Sequence, residues 1–327
     1  MPVIPRYSNS KLAIFSFYSS FFFSSFLFLT FYSLFNRKKF NHLITFCGSP
    51  VYVGYIGYLC GKLLGTKSSQ WVQDIWPEAI ESTIGIKNKL LRNVILKLQN
   101  FMWNFCDILF AESDALTDYL QKKYKDKKVV TLFNPIRDEV ILNQSTEIVS
   151  NKKVNISYVG NIGKAQNIEL ILKSFIKSGV TGTVLNICGD GGIFKELKDK
   201  YRNHNIKWHG WISGDKLNNI LLTSDYYILS LNTIGRQGLI IPSKLQTYFM
   251  NKKPIICISK GAVRDLIKNQ NAGLTCNDLN EDEIAEMFKT ALKLGRQERE
   301  LMGSNGYDFY VKNFTKNKIV DKFLLHI

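Results

Sequence analysis

From His42 onward the chain alternates between short apolar runs and longer amphipathic segments, the pattern of strands joined by helices. His42–Phe46 reads as a strand, and Val51–Leu64 as a helix carrying Gly54, Gly57 and Gly61. Gln70–Asp74 reads as the next strand and Lys87–Phe105 as a long helix. Asp107–Ala111 (strand), Ala115–Tyr124 (helix) and Lys128–Phe133 (strand) follow, and Asn134-Pro135 closes this half. After a polar stretch to Lys153 the alternation restarts. Residues 154–159, 184–188, 206–209, 226–229, 255–258 and 274–276 read as strands between helical segments, and 281–294, 296–310 and 316–325 as terminal helices. This order predicts an α/β protein of two Rossmann-like domains, with parallel sheets flanked by helices and ligands at the carboxyl ends of the strands. The expected bounds are 1–138 for an N-terminal domain, 139–153 for a linker, 154–312 for a nucleotide-binding domain and 313–327 for a C-terminal helix.

One segment departs from the alternation. Leu12–Phe35 carries no charge, is dense in Phe, Tyr, Leu and Ser, and is closed by Arg37-Lys38-Lys39. It is long enough to span a bilayer. Ser16, Ser20 and Ser24 nevertheless fall at helical spacing and give the helix a small polar stripe. The favoured reading is a helix of the first domain that also touches a membrane, with a true anchor as the alternative. A signal peptide fits poorly, because the apolar run is too long and an α/β sequence follows it.

Composition and charge narrow the partners. With 45% hydrophobic and 21% charged residues, the chain has a sizeable core. The six cysteines show no CxxC and no histidine at ligand spacing, so they read as reduced core residues; no metal and no cofactor is expected. The net charge is +16, and residues 1–73 contain Arg6, Lys11, Arg37, Lys38, Lys39, Lys62 and Lys67 without one Asp or Glu. Nucleic acid is disfavoured, since the basic residues are mostly scattered lysines and no recognition motif accompanies them. An anionic membrane surface and a phosphorylated substrate remain.

Three loops of the second half follow strands and so point to one crevice. The first is 160–166, GNIGKAQ, whose Gly163 allows close backbone approach and whose Lys164 adds charge. The second is Gly189-Asp190-Gly191-Gly192, which otherwise reads as a tight turn. The third runs through Gly238 to Pro242-Ser243-Lys244 into a helix. Pro242 suits a first helical position, and the N–H groups of Ser243 and Lys244 with the Lys244 ammonium would converge on a phosphate. Arg236, just before, either clamps a phosphate or is solvated. In the first half, Asp74 and Glu78 flank Trp76-Pro77; the pair would orient sugar hydroxyls or act as acid and base, or else Asp74 caps a segment and Trp76 packs a core. No Asp-x-Asp occurs, so nothing supports a metal-bridged diphosphate.

In order along the chain, VQDIWPE (72–78), FNP (133–135), YVGNIGKAQNIE (158–169), ICGDGG (187–192), HGWIS (209–213), IPSKLQTY (241–248), KKP (252–254) and NFT (313–315) form a recognisable series. The chain resembles the bacterial GT-B glycosyltransferases of family four, which are retaining and metal-independent, and most of all the branch that builds O-antigen and capsule, including N-acetylfucosamine transferases. The resemblance implies a UDP-sugar donor on the second domain and an undecaprenyl-diphosphate-linked acceptor on the first, at the cytoplasmic face of the bacterial inner membrane. It implies that Gly163, Lys164 and Lys244, with the backbone of 239–243, hold the diphosphate. Gly189, Asp190, Gly210 and Trp211 would border the base, and Asp74 would face the sugar. Two departures accompany it. The family's glutamates eight apart are here Leu239 and Thr247, leaving Gln246 or Thr247 for the ribose, and its His before Asp is here Gln73. The usual opening strand, glycine loop and helix are not found either, which makes a non-catalytic membrane partner of the same fold the alternative function.

Overall fold

The computed structural model describes residues 2–8, 10–36, 40–48, 53–77, 88–136, 153–202, 204–232 and 235–327. It divides into two compact units. Unit 1 comprises Met1–Phe133, Gly235–Ile240 and Phe323–Ile327; unit 2 comprises Asn134–Ile234 and Ile241–Lys322. Two short segments that lie beyond the sequence's first bounds, 235–240 and 323–327, thus pack with unit 1. Leu239 and Ile240 lie against its core, and Phe323 sets its ring 5.3 Å from that of Phe110.

Unit 1 holds a four-stranded parallel sheet in chain order, β1 (His42–Cys47), β2 (Lys67–Val72), β3 (Ile108–Ala111) and β4 (Lys128–Thr131). α1 (Lys11–Phe35) precedes β1, and α2 (Gly54–Leu64), α3 (Lys89–Phe105) and α4 (Asp114–Lys123) form the crossovers. α2 to α4 cover the same sheet face: Met102 and Trp103 of α3 and Leu116 and Leu120 of α4 share a core with Val72, Leu109 and Ala111. α2 closes on this face through glycines. A Cβ on Gly57 would stand 1.7 Å from Thr45 Oγ1, and one on Gly54 would meet Met102 Sδ, Gln70 Oε1 and Cys47 Sγ within 2.7 Å.

β2 starts and ends earlier than Gln70–Asp74, because its buried centre is polar. Ser68, Ser69 and Gln70 are all buried. The partners explain why that is tolerated: Gln70 donates from Nε2 to Gly54 O at 2.8 Å and accepts from the Cys47 thiol, and Ser69 Oγ meets His42 Nε2 at 3.0 Å.

Unit 2 is a six-stranded parallel sheet, β5 (Val154–Val159), β6 (Thr183–Cys188), β7 (Ile206–Gly210), β8 (Tyr226–Ser230), β9 (Ile255–Ile258) and β10 (Gly273–Thr275), in the order β10-β9-β8-β5-β6-β7. The chain therefore winds one way from β5 to β7, returns, and winds the other way from β8 to β10. The switch lies between β5 and β8, whose carboxyl ends leave a crevice. α5 (Ile168–Ser178), α6 (Phe194–Lys200), α7 (Gly214–Thr223), α8 (Lys244–Met250), α9 (Ala262–Asn269) and α10 (Glu281–Lys293) flank it, followed by α11 (Arg296–Asn313) and α12 (Lys316–Leu324). The core packs Phe175 of α5 on Phe288 of α10, ring centroids 5.4 Å apart. α11 fixes α8 from behind: a Cβ on Gly303 would meet Lys252 O at 2.0 Å, and one on Gly306 the Phe249 ring at 2.6 Å.

The glycine seam of α2 makes a testable claim. Gly57→Val should destabilise unit 1 by about 1–3 kcal/mol, since a branched side chain must displace Thr45 or lift the helix. Urea titration should show the unfolding transition of unit 1 at lower denaturant, with the unit 2 transition unmoved; a variant as stable as the parent would contradict the close approach.

Candidate functional site

The loops at the carboxyl ends of β5, β6 and β7 are laced together by their own backbone. Gly160 N–H donates to Cys188 O at 2.9 Å, Ile162 N–H to Asp190 O at 2.8 Å, and Gly189 N–H to Gly210 O at 2.7 Å. Asn232, after β8, donates to Ala165 O at 2.7 Å and ties in the strand across the switch. Gly160 (φ +144°) and Gly189 (φ +135°) adopt backbone that disfavours a side chain, and space forbids one as well. A Cβ on Gly189 would stand 1.8 Å from Gly160 O, and one on Gly160 would stand 2.1 Å from Lys244 Nζ. The Lys244 ammonium thus passes over the bare Cα of Gly160.

Lys244 opens α8 and reaches back to β5. Its Nζ lies 3.1 Å from Tyr158 Oη and 4.5 Å from the centre of that ring. Tyr158 is fully buried, and burial pushes its phenol above the ordinary range, so it stays neutral, donating to Asn161 O at 2.7 Å and accepting from the lysine. No carboxylate among the described residues neutralises Lys244, and desolvation alone lowers its pKa to about 8. An anion placed here would relieve that cost. The helix starts at Lys244, two residues after Pro242, with Ser243 as its helical-region N-cap. Pro242 is therefore not the first helical residue but the turn acceptor, taking the Leu245 N–H at 3.0 Å.

Beside the lysine lies a cavity of about 340 Å³ lined by Gly160, Asn161, Gly189, Asp190, Trp211 and Ile212. Trp211 stands 75% exposed at its mouth, after Gly210 turns the chain with φ +68°. An exposed indole on a glycine turn beside a cavity of this size offers a stacking surface for a planar ring. Asp190 holds its own loop, accepting the Gly191 N–H at 2.7 Å. Cys188 lines the same cavity with its thiol pushed up to about 12 by burial, so it stays protonated and inert. Next to it, His209 meets Asn186 Oδ1 at 3.0 Å, and burial lowers its pKa, keeping the imidazole neutral.

The sequence-predicted residues separate into two sets. Gly163, Gly189, Asp190, Gly210, Trp211, Pro242, Ser243, Lys244, Gln246 and Thr247 all belong to unit 2. Gly163 caps a 3₁₀ turn opened by Lys164, its N–H donating to Gln166 Oε1 at 3.2 Å; the Lys164 side chain lies outside the described part. Gln246 is buried with its amide 3.4 Å from Asn134 O, whereas Thr247 is half-buried. Asp74 and Arg236 belong to unit 1. Asp74 follows β2, held between Gln73, whose N–H donates to Cys47 O at 2.9 Å, and the buried pair Ile75 and Trp76. Trp76 packs the core, as one of the two sequence readings had it, and its N–H donates to Gln99 Oε1 at 2.7 Å. Arg236 lays its guanidinium over Tyr119 of α4, 5.6 Å from the ring centre, with Nη1 2.5 Å from the phenol oxygen. Glu78 lies outside the described residues. Sequence reasoning missed Tyr158 and Asn161. A tyrosine at the end of the strand VNISYV, directly before Val-Gly, was the available signal for the first.

Comparison with known proteins agrees with this geometry. The family of glycosyl transferases group 1 matches residues 142–309, a little over half of the chain. No curated protein matches it in sequence. Among solved structures, HepE of Anabaena in complex with UDP is 11% identical and superposes with a TM-score of 0.71 over 92% of this chain and 82% of that one. Sucrose-phosphate synthase of Thermosynechococcus elongatus is 12% identical, with a TM-score of 0.69 over 94% of this chain and 78% of that one. WaaG, a glycosyltransferase involved in lipopolysaccharide biosynthesis, is 12% identical, with a TM-score of 0.61 over 97% of this chain and 84% of that one. At such identities these likenesses establish the fold, two Rossmann-like α/β domains of the GT-B type, while the family match covers the unit that carries the loops and Lys244. The chain belongs to the glycosyl transferases group 1 family and is a glycosyltransferase.

Proposed function

We propose that the enzyme transfers an N-acetylated sugar, with retention, from a UDP-sugar to a polyprenyl-diphosphate-linked saccharide during O-antigen or capsule assembly, at an anionic membrane surface on the cytoplasmic side. The observation that carries the donor half is the un-neutralised Lys244 ammonium beside the cavity formed by the loops after β5, β6 and β7. Glycosyl transfer from a nucleoside diphosphate sugar develops negative charge on the leaving diphosphate. A cation already stripped of water and fixed by Tyr158 stabilises that charge without reorganising. The Gly160 and Gly189 loops, which line the cavity, let the phosphates approach backbone, Trp211 stacks the uracil, and the Ser243 and Lys244 N–H groups would serve as further donors.

UDP is favoured over other nucleotides because structural neighbours were solved with it: HepE with UDP and with UDP-glucose, and the pneumococcal O-GlcNAc transferase GtfA with UDP and GlcNAc. WaaG's role in lipopolysaccharide biosynthesis supports a surface-polysaccharide acceptor. Gly163 and Lys164 complete the diphosphate site, and Gln246 or Thr247 takes the ribose. Arg236 assists the phosphates once released from Tyr119. Asp74 supplies the carboxylate that hydrogen-bonds the sugar, with Glu78 as its partner. Because Lys244 provides the counter-charge, the reaction runs without a metal ion.

Three outcomes are expected. Lys244→Met should weaken UDP binding about 10- to 100-fold, the range for losing one charge-assisted hydrogen bond, while leaving the fold intact. Calorimetry checks it, and unchanged affinity would remove the phosphate site. The sign of the pH effect follows from the lowered pKa: UDP binds best to the protonated lysine, so affinity should fall as pH rises through about 8, with proton uptake on binding. Both effects should vanish in Lys244→Met. Finally, excess EDTA should leave the transfer rate within about twofold, and a strict requirement for a divalent ion would overturn the metal-independent chemistry.

A further inference from the structure

α1 of unit 1 is amphipathic the wrong way round for a water-soluble domain. Its small residues face inward: Ser25 and Ser33 are buried, and Ser16, Ser20 and Ser24 are half-buried. Two of the hydroxyls turn back on their own helix, Ser20 to Phe17 O and Ser33 to Thr30 O, both at 2.8 Å, and Ser20 Oγ also accepts the Ile4 N–H at 2.9 Å. Phe17, Phe21, Phe22 and Phe26 are half-buried like those serines, whereas Leu12, Phe15, Phe23, Leu27, Phe31 and Leu34 face outward at mostly three- and four-residue spacing, all more than half exposed. The most apolar stretch of this helix has a mean hydropathy of 1.8, yet only 6% of it is buried. Small residues toward protein and large apolar residues away from it is the arrangement of a helix whose outer solvent is lipid.

α1 does not stand alone. It packs along α2, and α2 packs on α3 through Tyr55 and Tyr58, whose rings lie within 6.4 Å of Phe101. α3 buries one face in the core through Met102 and Trp103 and leaves a second apolar stripe, Leu90, Val94, Leu98, Phe101 and Phe105, each 45% exposed or more. The charge around these stripes has one sign. Residues 1–73 hold no acidic residue, and α3 carries Lys89, Arg92 and Lys97 and no Asp or Glu. A protein partner would need an apolar surface rimmed with acid; an anionic bilayer supplies both features over any area.

We propose that the α1–α2–α3 layer docks on an anionic bilayer with α1 lying in the membrane plane, its aromatic stripe and that of α3 in the headgroup–acyl boundary. This specifies how the membrane part of the proposed function is achieved, and it rests on that part. A spanning α1 would have to leave α2 and take its serine face into hydrocarbon. In-plane docking keeps the α1–α2 contact and covers both stripes at once.

All six cysteines are buried, so a polarity-sensitive dye couples selectively to one introduced at Phe15→Cys, Phe31→Cys or Leu98→Cys. The full chain is mixed with vesicles of phosphatidylethanolamine and phosphatidylglycerol, and separately with phosphatidylcholine alone. The expected result is flotation with the anionic vesicles, at least tenfold weaker binding to the neutral ones, and a blue shift at all three positions. External dithionite should bleach the labels at 15 and 31 equally. The double variant Val94→Ser, Leu98→Ser should bind vesicles at least fivefold more weakly with UDP affinity unchanged. A lumen-protected label at one end of α1 would show a spanning helix and overturn the proposal while sparing membrane association. A Leu98 label that stays in water would overturn the role of α3. A blue shift that grows with protein concentration in the absence of lipid would mean that a second copy covers the face. No binding to either vesicle would overturn the membrane part of the proposed function too, and UDP binding in the same sample would leave the donor site standing.

Discussion

The proposed donor site depends on one close passage, that of the Lys244 side chain over Tyr158 and past the bare Cα of Gly160. Three independent parts of unit 2 must agree for it to occur. β5 ends in Tyr158-Val159-Gly160, the loops after β5, β6 and β7 enclose a cavity beside it, and α8 is pressed into place by the glycines of α11. The result is a cation whose desolvation remains uncompensated in the free protein. That is an expensive state for an isolated domain and a useful one for binding a diphosphate, because the ligand recovers what the fold has spent.

Unit 1 follows the same principle with a different purpose. Its glycine seam brings α2 down on β1 and β2, and Gln70 satisfies the polar groups trapped beneath it. α1 lies along this helix, with Ser25 and Ser33 buried. One unit stores an unneutralised charge and the other an uncovered apolar surface, and both suit the proposed reaction between a nucleotide-sugar donor and a lipid-linked acceptor.

The α/β pattern was legible in the sequence because fully buried parallel strands read as apolar runs, as in Ile255–Ile258 and Tyr226–Ser230. β2 was read three residues late because Ser68, Ser69 and Gln70 carry no apolar signal; only their partners across the sheet explain their burial. The lysine and glycine loops were visible as types at strand ends, but their order of importance was not. Gly160 precedes the Gly163-Lys164 pair that attracted notice, and its role depends on Lys244, which lies 84 positions on. Arg236 shows the converse. It is next to the phosphate loop in sequence, yet the segment 235–240 packs with unit 1 and the guanidinium rests on Tyr119, a placement the sequence does not announce. The serine stripe of α1 was readable as a face; that it is the inward one required the structure.

The most direct measurement of the central claim is the titration of the Lys244 ammonium itself, by lysine-selective NMR with Lys244→Arg to assign the signal. The account predicts a midpoint near 8 in the free enzyme and a rise of at least one pH unit on saturation with UDP. A lysine that titrates at its ordinary value and does not respond to UDP would contradict it.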